Sequence, residues 1–286
     1  MFAVIAAGKT GIIIPSVVGL TGLGALFGFA LAIASRKFRV EVDPRVEEIT
    51  QLLPSANCGA CGFAGCAGYA EALVKGIVDL GSCPPSSSEI TSRIAQMLGK
   101  EAKAKEKWVA FLHCGGGKVS KRRFVYDGIS TCAAANLVGG GNLGCEFGCT
   151  AFYDCVRACP FGAIEIDEIG MPYVNPEKCT GCGICVKVCP RNLLELVPAN
   201  KTIFVACSNP ERGKFVRLVC EVGCIGCFKC FKVCKPEAIE MREGLAVIHH
   251  EKCTLCGDCI PVCPKSIIVD FSKGHTPRVP SEVEAS

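Results

Sequence analysis

The spacing of the cysteines constrains this chain more than any other feature. Cys179-Thr-Gly-Cys182-Gly-Ile-Cys185-Val-Lys-Val-Cys189-Pro190 has the pattern C-x2-C-x2-C-x3-C-P, and Cys253, Cys256, Cys259 and Cys263-Pro264 repeat it. Cys224, Cys227, Cys230 and Cys234 keep the spacing, with the proline displaced by one to Pro236. In such a run three thiolates on a tight loop cap three irons of a cubane [4Fe–4S] cluster. The fourth cysteine starts near a neighbouring cluster and ligates that one instead. Zinc is the competing use of C-x2-C spacing, but zinc sites usually pair two separated knuckles rather than three close ligands followed by C-P.

A fourth run is irregular. Cys149, Cys155 and Cys159-Pro160 occupy positions one, three and four of the template, while position two is Phe152, which cannot bind iron. Cys145 lies four residues before Cys149 and is expected to supply the missing ligand. An internal repeat supports a paired arrangement. Cys132, Cys145, Cys149, Cys155 and Cys159 recur 75 residues later as Cys207, Cys220, Cys224, Cys230 and Cys234. Cys179 to Cys189 recur 74 residues later as Cys253 to Cys263. Each half then has the two runs of a two-cluster bacterial ferredoxin. Between the runs, residues 163–174 and 238–249 alternate around Gly170 and Gly244, as short hairpins do.

Crossed ligation gives the expected sets. They are Cys145, Cys149, Cys155 with Cys189; Cys179, Cys182, Cys185 with Cys159; Cys224, Cys227, Cys230 with Cys263; and Cys253, Cys256, Cys259 with Cys234. A fifth site is expected at Cys58, Cys61, Cys66 and Cys83, spaced C-x2-C-x4-C-x16-C. That spacing fits neither a zinc knuckle nor a plant-type ferredoxin, and its glycines suit a loop wrapped closely on a large cofactor. Five [4Fe–4S] clusters are therefore expected. Cys114, Cys132, Cys207 and Cys220 remain, and are read as buried or weakly bonded thiols rather than as a sixth site.

Composition agrees with a metal protein. The chain has 24 cysteines in 286 residues, too long a chain to need disulfide staples for folding. A net charge of +4 and a single Trp give no indication of nucleic-acid binding. Thr10 to Ser35 is a run of 26 uncharged residues, against the roughly 20 that cross a bilayer as a helix. Gly24 and Gly28 form a small-xxx-small pair suited to helix packing in lipid. A cleaved signal peptide competes with the anchor reading, because Ala32-Ile33-Ala34 resembles a cleavage site. Lys9 precedes the span and Arg36, Lys37 and Arg39 follow it, which places the bulk of the chain in the cytoplasm, on the inner face of the cell membrane. That side is reducing and favours thiolate ligands.

The expected organisation is α+β: a single transmembrane helix at 1–37, a small helical [4Fe–4S] domain at 38–100, a linker at 101–140, tandem two-cluster ferredoxin units at 141–200 and 201–271, and a polar tail at 272–286. Val46, Ile49, Leu52 and Leu53, with Ile90, Ile94 and Leu98, form the expected helical core of the small domain. Gly139-Gly-Gly141-Asn-Leu-Gly144 matches G-x-G-x-x-G, but Cys145 follows at once and leaves no room for the helix that a dinucleotide site requires. No catalytic residue and no cofactor beyond the clusters is expected. Lys118, Lys121, Arg122 and Arg123, and also Lys229, Lys232 and Lys235, are basic groups whose ordinary role is solvated surface charge. Their functional alternative is a docking face for an acidic redox protein.

The order of these parts resembles the B subunit of the Rnf complexes, the ion-translocating ferredoxin:NAD⁺ oxidoreductases. The resemblance rests on the N-terminal anchor, Asn57-Cys58-Gly-Ala-Cys61-Gly-Phe-Ala-Gly-Cys66 with Cys83-Pro84, His113-Cys114-Gly-Gly-Gly117, and the later ferredoxin runs. It implies the longer form of that protein, with two ferredoxin units, acting within a translocase and with no substrate chemistry of its own. It further implies electrons received from reduced ferredoxin and relayed toward NAD⁺ at a flavin-bearing partner, coupled to Na⁺ or H⁺ transport. A polyferredoxin-type component of a membrane hydrogenase or formate dehydrogenase is the alternative. A structural zinc scaffold is a second, from another class. Phe152 and Lys235 depart from the usual runs.

Overall fold

The computed structural model describes residues 2–38, 43–101 and 106–273, and only the backbone of 2–16, 118 and 273. Most of the expected tail therefore lies outside the described residues, as does the side chain of Lys118. The chain divides into two compact units, Met1–Glu47 and Glu48–Ser286. In the first, helix α1 (Phe2–Lys37) ends on Arg36 and Lys37, where cations complement the helix dipole. Its stretch Val17–Lys37 is long and apolar enough to cross a membrane, and none of it is buried.

The second unit opens on helical structure. Helix α2 (Pro44–Leu52) crosses the boundary between the units, and is followed by α3 (Gly65–Val74) and α4 (Ser88–Leu98). Ser87 caps α4 by accepting a hydrogen bond from the Ile90 amide, and Gly99 ends it in the left-handed conformation at φ 62°. Ile49, Leu53 and Ile94 are buried, as their helical spacing predicts, while Leu52, Ile90 and Leu98 are half-buried.

Two repeats follow that share an outer strand, a helical segment, a hairpin and a closing strand, the first alone adding a helix before its closing strand. The first has β1 (Trp108–Leu112), α5 (Cys132–Leu137), α6 (Asp154–Arg157), β2 (Ile164–Ile166), β3 (Pro172–Val174), α7 (Ile184–Val188) and β4 (Leu194–Pro198). The second has β5 (Ile203–Val205), α8 (Gly213–Val219), α9 (Lys229–Val233), β6 (Ile239–Arg242), β7 (Leu245–Ile248) and β8 (Ile268–Asp270). The expected hairpins are β2–β3 and β6–β7, both antiparallel. Glu243 and Gly244, at φ 48° and 95°, form the tight turn of the second.

An outer antiparallel pair closes each repeat: β1 with β4, in register from Trp108↔Pro198 to Leu112↔Leu194, and β5 with β8. Thus the stretch expected as a linker, 101–140, contributes a strand to the first repeat. No turn signal could announce this, because the strand's partner lies more than eighty residues away.

The outer strands also join the repeats. Phe111 of β1 stacks on Phe204 of β5, with ring centroids 4.3 Å apart and planes at 24°. Phe271 sets its edge against both rings, at 5.5 and 6.3 Å. The Gly115 amide donates to the Ala206 carbonyl at 2.9 Å, the Ser208 hydroxyl to the His113 carbonyl at 2.9 Å, and the Lys121 amide to the Val219 carbonyl at 2.9 Å. Phe111 and Phe204 are 0% and 1% exposed. Phe204→Ala should therefore cost about 3–5 kcal/mol, read as an earlier denaturant midpoint under anoxic conditions. Phe231→Ala, at a ring 47% exposed, should shift the midpoint little.

Candidate metal centres

The ferredoxin runs share one backbone path. The residue just before position two is left-handed in every run: Ala151, Gly181, Gly226 and Leu255, at φ 56°, 68°, 60° and 59°. The residue just after position two is too: Tyr153, Gly183, Phe228 and Gly257, at φ 62°, 75°, 60° and 80°. Such alternation turns successive amides inward and makes a concavity for an anionic group. For Gly181 the requirement is doubled, since a Cβ would come 2.6 Å from the Trp108 carbonyl oxygen. Phe152 keeps this path although it lacks the sulfur.

After each fourth cysteine comes a turn. The amides of Gly162, Asn192, Glu237 and Ser266 donate to the carbonyls of Cys159, Cys189, Cys234 and Cys263 at 3.1–3.4 Å. All four donors have positive φ. Lys235 therefore displaces the proline without disturbing the turn.

These paths ring cavities with thiols. Cys179, Cys182 and Cys185 line one with Cys159; Cys224, Cys227 and Cys230 line another with Cys263; and Cys253, Cys256 and Cys259 line a third with Cys234. The fourth member comes from the other run each time. Amides donate to the sulfurs: Ala110 to Cys179, Ala163 to Cys159 and Leu193 to Cys189 at 3.4 Å, and Ala238 to Cys234 at 3.3 Å. Burial pushes the Cys185 and Cys259 thiols up to about 12, and Cys230 to about 11, with neighbouring thiols adding to the rise. A group that resists ionisation this strongly serves as a thiolate only beside compensating cationic charge. An all-thiol donor set, inward amides and close backbone fit a [4Fe–4S] cluster.

The irregular run is assembled differently from the expectation. Burial pushes Cys155 up to about 12, and the thiols that add to this are Cys132 and Cys189. Burial raises Cys149 as well, helped by Cys114, Cys132 and Cys155. Cys132, read as a leftover, thus stands among Cys149, Cys155 and Cys189. It opens α5, where Thr131 caps the Ala134 amide and the Asp154 carboxylate accepts from the Ala133 amide at 3.2 Å. Phe152 is packed away edge-on against Tyr126 at 5.3 Å.

Cys145 does not join this group. It lines a fourth cavity with Cys114, Cys207 and Cys220. Cys145, expected to replace the ligand missing at Phe152, is thus grouped with these three thiols rather than with Cys149 and Cys155. Cys114, Cys207 and Cys220, read from the sequence as buried or weakly bonded thiols, stand around this one cavity.

The sequence repeat misled here. Cys114 follows Phe111 by three residues as Cys207 follows Phe204, and these strands are counterparts, so Cys207 corresponds to Cys114 and not to Cys132. Thirty residues separate Cys114 from Cys145, but only twelve separate Cys207 from Cys220. The longer segment of the first repeat carries Cys132, and that length brought it to the 75-residue spacing.

The site nearer the N-terminus is a loop. Gly59, Gly62 and Gly65 have φ 67°, 86° and 85°, and Asn57 Oδ1 accepts from the Cys66 amide at 2.9 Å. Buried Tyr69 is pushed up to about 12 by desolvation and by Cys83 and Cys61, so the two ends of the motif meet around its ring. Gly139 to Gly144 follows α5 and turns its carbonyls toward cations. Arg123 donates to the Gly139 and Gly141 oxygens at 2.9 Å, and Arg191 to the Gly140 oxygen. A phosphate loop offers amides instead. Arg123 also pairs with Glu146 at 3.4 Å, so part of the first basic run is structural.

Three family profiles match parts of the chain: "Putative Fe-S cluster" over residues 53–85, "4Fe-4S binding domain" over 172–195, and "4Fe-4S dicluster domain" over 223–267. The B subunit of the ion-translocating oxidoreductase complex of Methanosarcina acetivorans is 41% identical over 258 residues, covering 90% of this chain and 98% of its own. The B subunit of the Na⁺-translocating ferredoxin:NAD⁺ oxidoreductase complex of Acetobacterium woodii is 40% identical, covering 90% of this chain and 78% of its own. The B subunit of the proton-translocating ferredoxin:NAD⁺ oxidoreductase complex of Clostridium ljungdahlii is 38% identical, covering 96% and 98%. With likeness of this extent running through the iron–sulfur motif and both ferredoxin repeats, the chain belongs to the B-subunit family of the ion-translocating ferredoxin:NAD⁺ oxidoreductase (Rnf) complexes.

Proposed function

We propose that the chain is the electron-relaying component of an Rnf-type membrane complex, taking electrons from reduced ferredoxin and passing them toward NAD⁺ reduction at a flavin-bearing partner, coupled to Na⁺ or H⁺ translocation. The observation that carries this reading is the crossed grouping of the thiols. In both repeats a cysteine from one run stands with three from the other, the arrangement that holds two clusters close enough for electron hopping. The relatives named for Na⁺ and for protons resemble this chain about equally, at 40% and 38% identity. Nothing supports the hydrogenase or formate dehydrogenase alternative.

The ligand sets we propose are Cys58, Cys61, Cys66 and Cys83; Cys132, Cys149, Cys155 and Cys189; Cys159, Cys179, Cys182 and Cys185; Cys224, Cys227, Cys230 and Cys263; and Cys234, Cys253, Cys256 and Cys259. When bound, such clusters take up and release single electrons, at roughly −400 mV for low-potential types. Cys182 feels the charge of Cys58, and Cys185 that of Cys155. Cys259 likewise feels Cys230. The sets thus adjoin in two series: the motif of Cys58 with the first repeat, and the two sets of the second repeat with each other. Arg36 and Lys37 at the end of α1 support placing the remainder of the chain on the cytoplasmic side, where ferredoxin is found.

The second repeat is the proposed port for ferredoxin. Among the cysteines only Cys227 and Cys256 are exposed, and both belong to it. Exposed Phe228 and Phe231 pack edge to face at 6.3 Å beside exposed Lys229, Lys232 and Lys235, giving an apolar centre with a basic rim. Lys229→Glu with Lys232→Glu should slow reduction by an acidic ferredoxin about tenfold at low salt and flatten its salt dependence. Equal rates at low salt would remove this surface from the account.

The full-length chain, purified without oxygen, should show cluster bleaching with reduced ferredoxin and none with NADH alone. Reduction by NADH without a partner would contradict the reading. Cys132→Ser should lower bound iron by about one to four per chain, and Phe152→Cys in that background should restore it, because Phe152 keeps the backbone of a ligand position. A Cys132→Ser chain that keeps the full wild-type iron content would contradict the assignment of Cys132.

A further inference from the structure

The two series of sets stop short of each other. Between Cys149 in the first repeat and Cys224 in the second lie Cys114, Cys145, Cys207 and Cys220, which none of the five sets uses. We propose that these four thiols bind a sixth [4Fe–4S] cluster at the junction of the repeats, completing a single electron path through the protein. The proposal rests on the electron-relay reading and extends it.

Size is the first argument. The cavity lined by these thiols has a volume of about 20 Å³, on the same scale as the roughly 20, 20 and 10 Å³ of the three cavities ringed by ferredoxin cysteines. Symmetry is the second. Each repeat contributes one cysteine just beyond its first strand, Cys114 or Cys207, and one four residues before its ferredoxin run, Cys145 or Cys220. The stacked pair Phe111 and Phe204 brings these matching positions face to face.

Hydrogen bonding is the third. Every one of the four sulfurs receives a donor: the Cys149 amide to Cys114 at 3.3 Å, the Cys224 amide to Cys207 at 3.4 Å, Asn209 Nδ2 to Cys145 at 3.4 Å, and the Ser120 hydroxyl to Cys220 at 3.6 Å. Asn209 is 1% exposed, and its own carbonyl is fixed by the Glu211 amide at 2.8 Å. Donors aimed at thiolate sulfurs are the usual means by which a protein stabilises and tunes such a cluster.

The cavity wall is glycine where a bulky group must approach. Gly116, Gly148 and Gly223 line it, and a Cβ on Gly223 would collide with Val216. A single zinc ion would need four sulfurs about 2.3 Å from one point. Among the described residues no such convergent group exists, here or at the ferredoxin sets.

The two amides that reach this site are those of Cys149 and Cys224, the first ligands of the flanking sets. An electron arriving from reduced ferredoxin at the second repeat would therefore cross this site to reach the first. Each transfer oxidises its donor and reduces its acceptor by one electron, and breaks no bond.

The test uses the full-length chain purified without oxygen in detergent. Iron, acid-labile sulfide and zinc are measured on the wild type and on Cys207→Ser/Cys220→Ser. About 24 irons and 24 sulfides per wild-type chain are expected, falling by about four of each in the double variant. Rapid reduction by ferredoxin should then bleach only about two clusters, with the rest following slowly. Alkylation of the wild type guards against misfolding of the variant: all four thiols should resist iodoacetamide until a chelator strips the iron, and then react. About 20 irons with these four thiols labelled in the holoprotein would overturn the sixth site and leave the relay reading standing. So would a double variant that keeps wild-type iron and full rapid bleaching, or one zinc per chain protecting these thiols. A wild-type chain with no iron–sulfur signal at all would overturn both.

Discussion

Burying thiols that must carry charge is the constraint on which the rest of this molecule depends. Desolvation lifts Cys155, Cys185, Cys207 and Cys259 toward 12, so without a metal these cores would hold neutral thiols crowded around cavities. Iron supplies the compensating charge, and the backbone supplies amides aimed at the sulfurs. The left-handed residues on either side of position two follow from that demand, since this path turns several amides inward over a few residues. The short strands and helices are too small to be stable alone, and they gain their order by framing the thiol sets.

The first repeat shows how such a frame tolerates losing a ligand. Phe152 occupies the ligand position with an unchanged backbone and packs on Tyr126. A longer segment between Cys114 and Cys145 brings Cys132 to the same group, pinned by Asp154 on the helix that carries Cys155. Arg191 fastens the segment further, donating to Asn136, Cys145 and Gly148. In the ligand set we propose, the sulfur comes from a different part of the chain while the loop remains intact.

The junction between the repeats is a core of its own. Phe111, Phe204 and Phe271 interlock there, and backbone hydrogen bonds run from Gly115 to Ala206 and from Lys121 to Val219. Two tandem ferredoxin repeats could have hung on a flexible linker. Here they share strands' ends and a thiol-lined cavity, which makes the pair one packed body rather than two beads.

Much of this was legible in the amino-acid order. Ligand spacing within a run is local: C-x2-C-x2-C-x3-C-P encodes one loop and one turn, so the runs, the hairpins around Gly170 and Gly244 and the apolar α1 could be read directly. The 41% identical relative shows that the family was legible as well. Pairing across distance was not. Strand β1 finds β4 about eighty residues on, and a five-residue apolar stretch gives no sign of its partner. The 75-residue cysteine register aligned Cys132 with Cys207 by the accident of a longer segment, whereas equivalence in space belongs to Cys114. Local chemistry determined the kind of ligand and the spacing within each run. Only the packing of two repeats about Phe111 and Phe204 decided which four thiols stand together, because that grouping depends on contacts between parts of the chain that sequence spacing does not record.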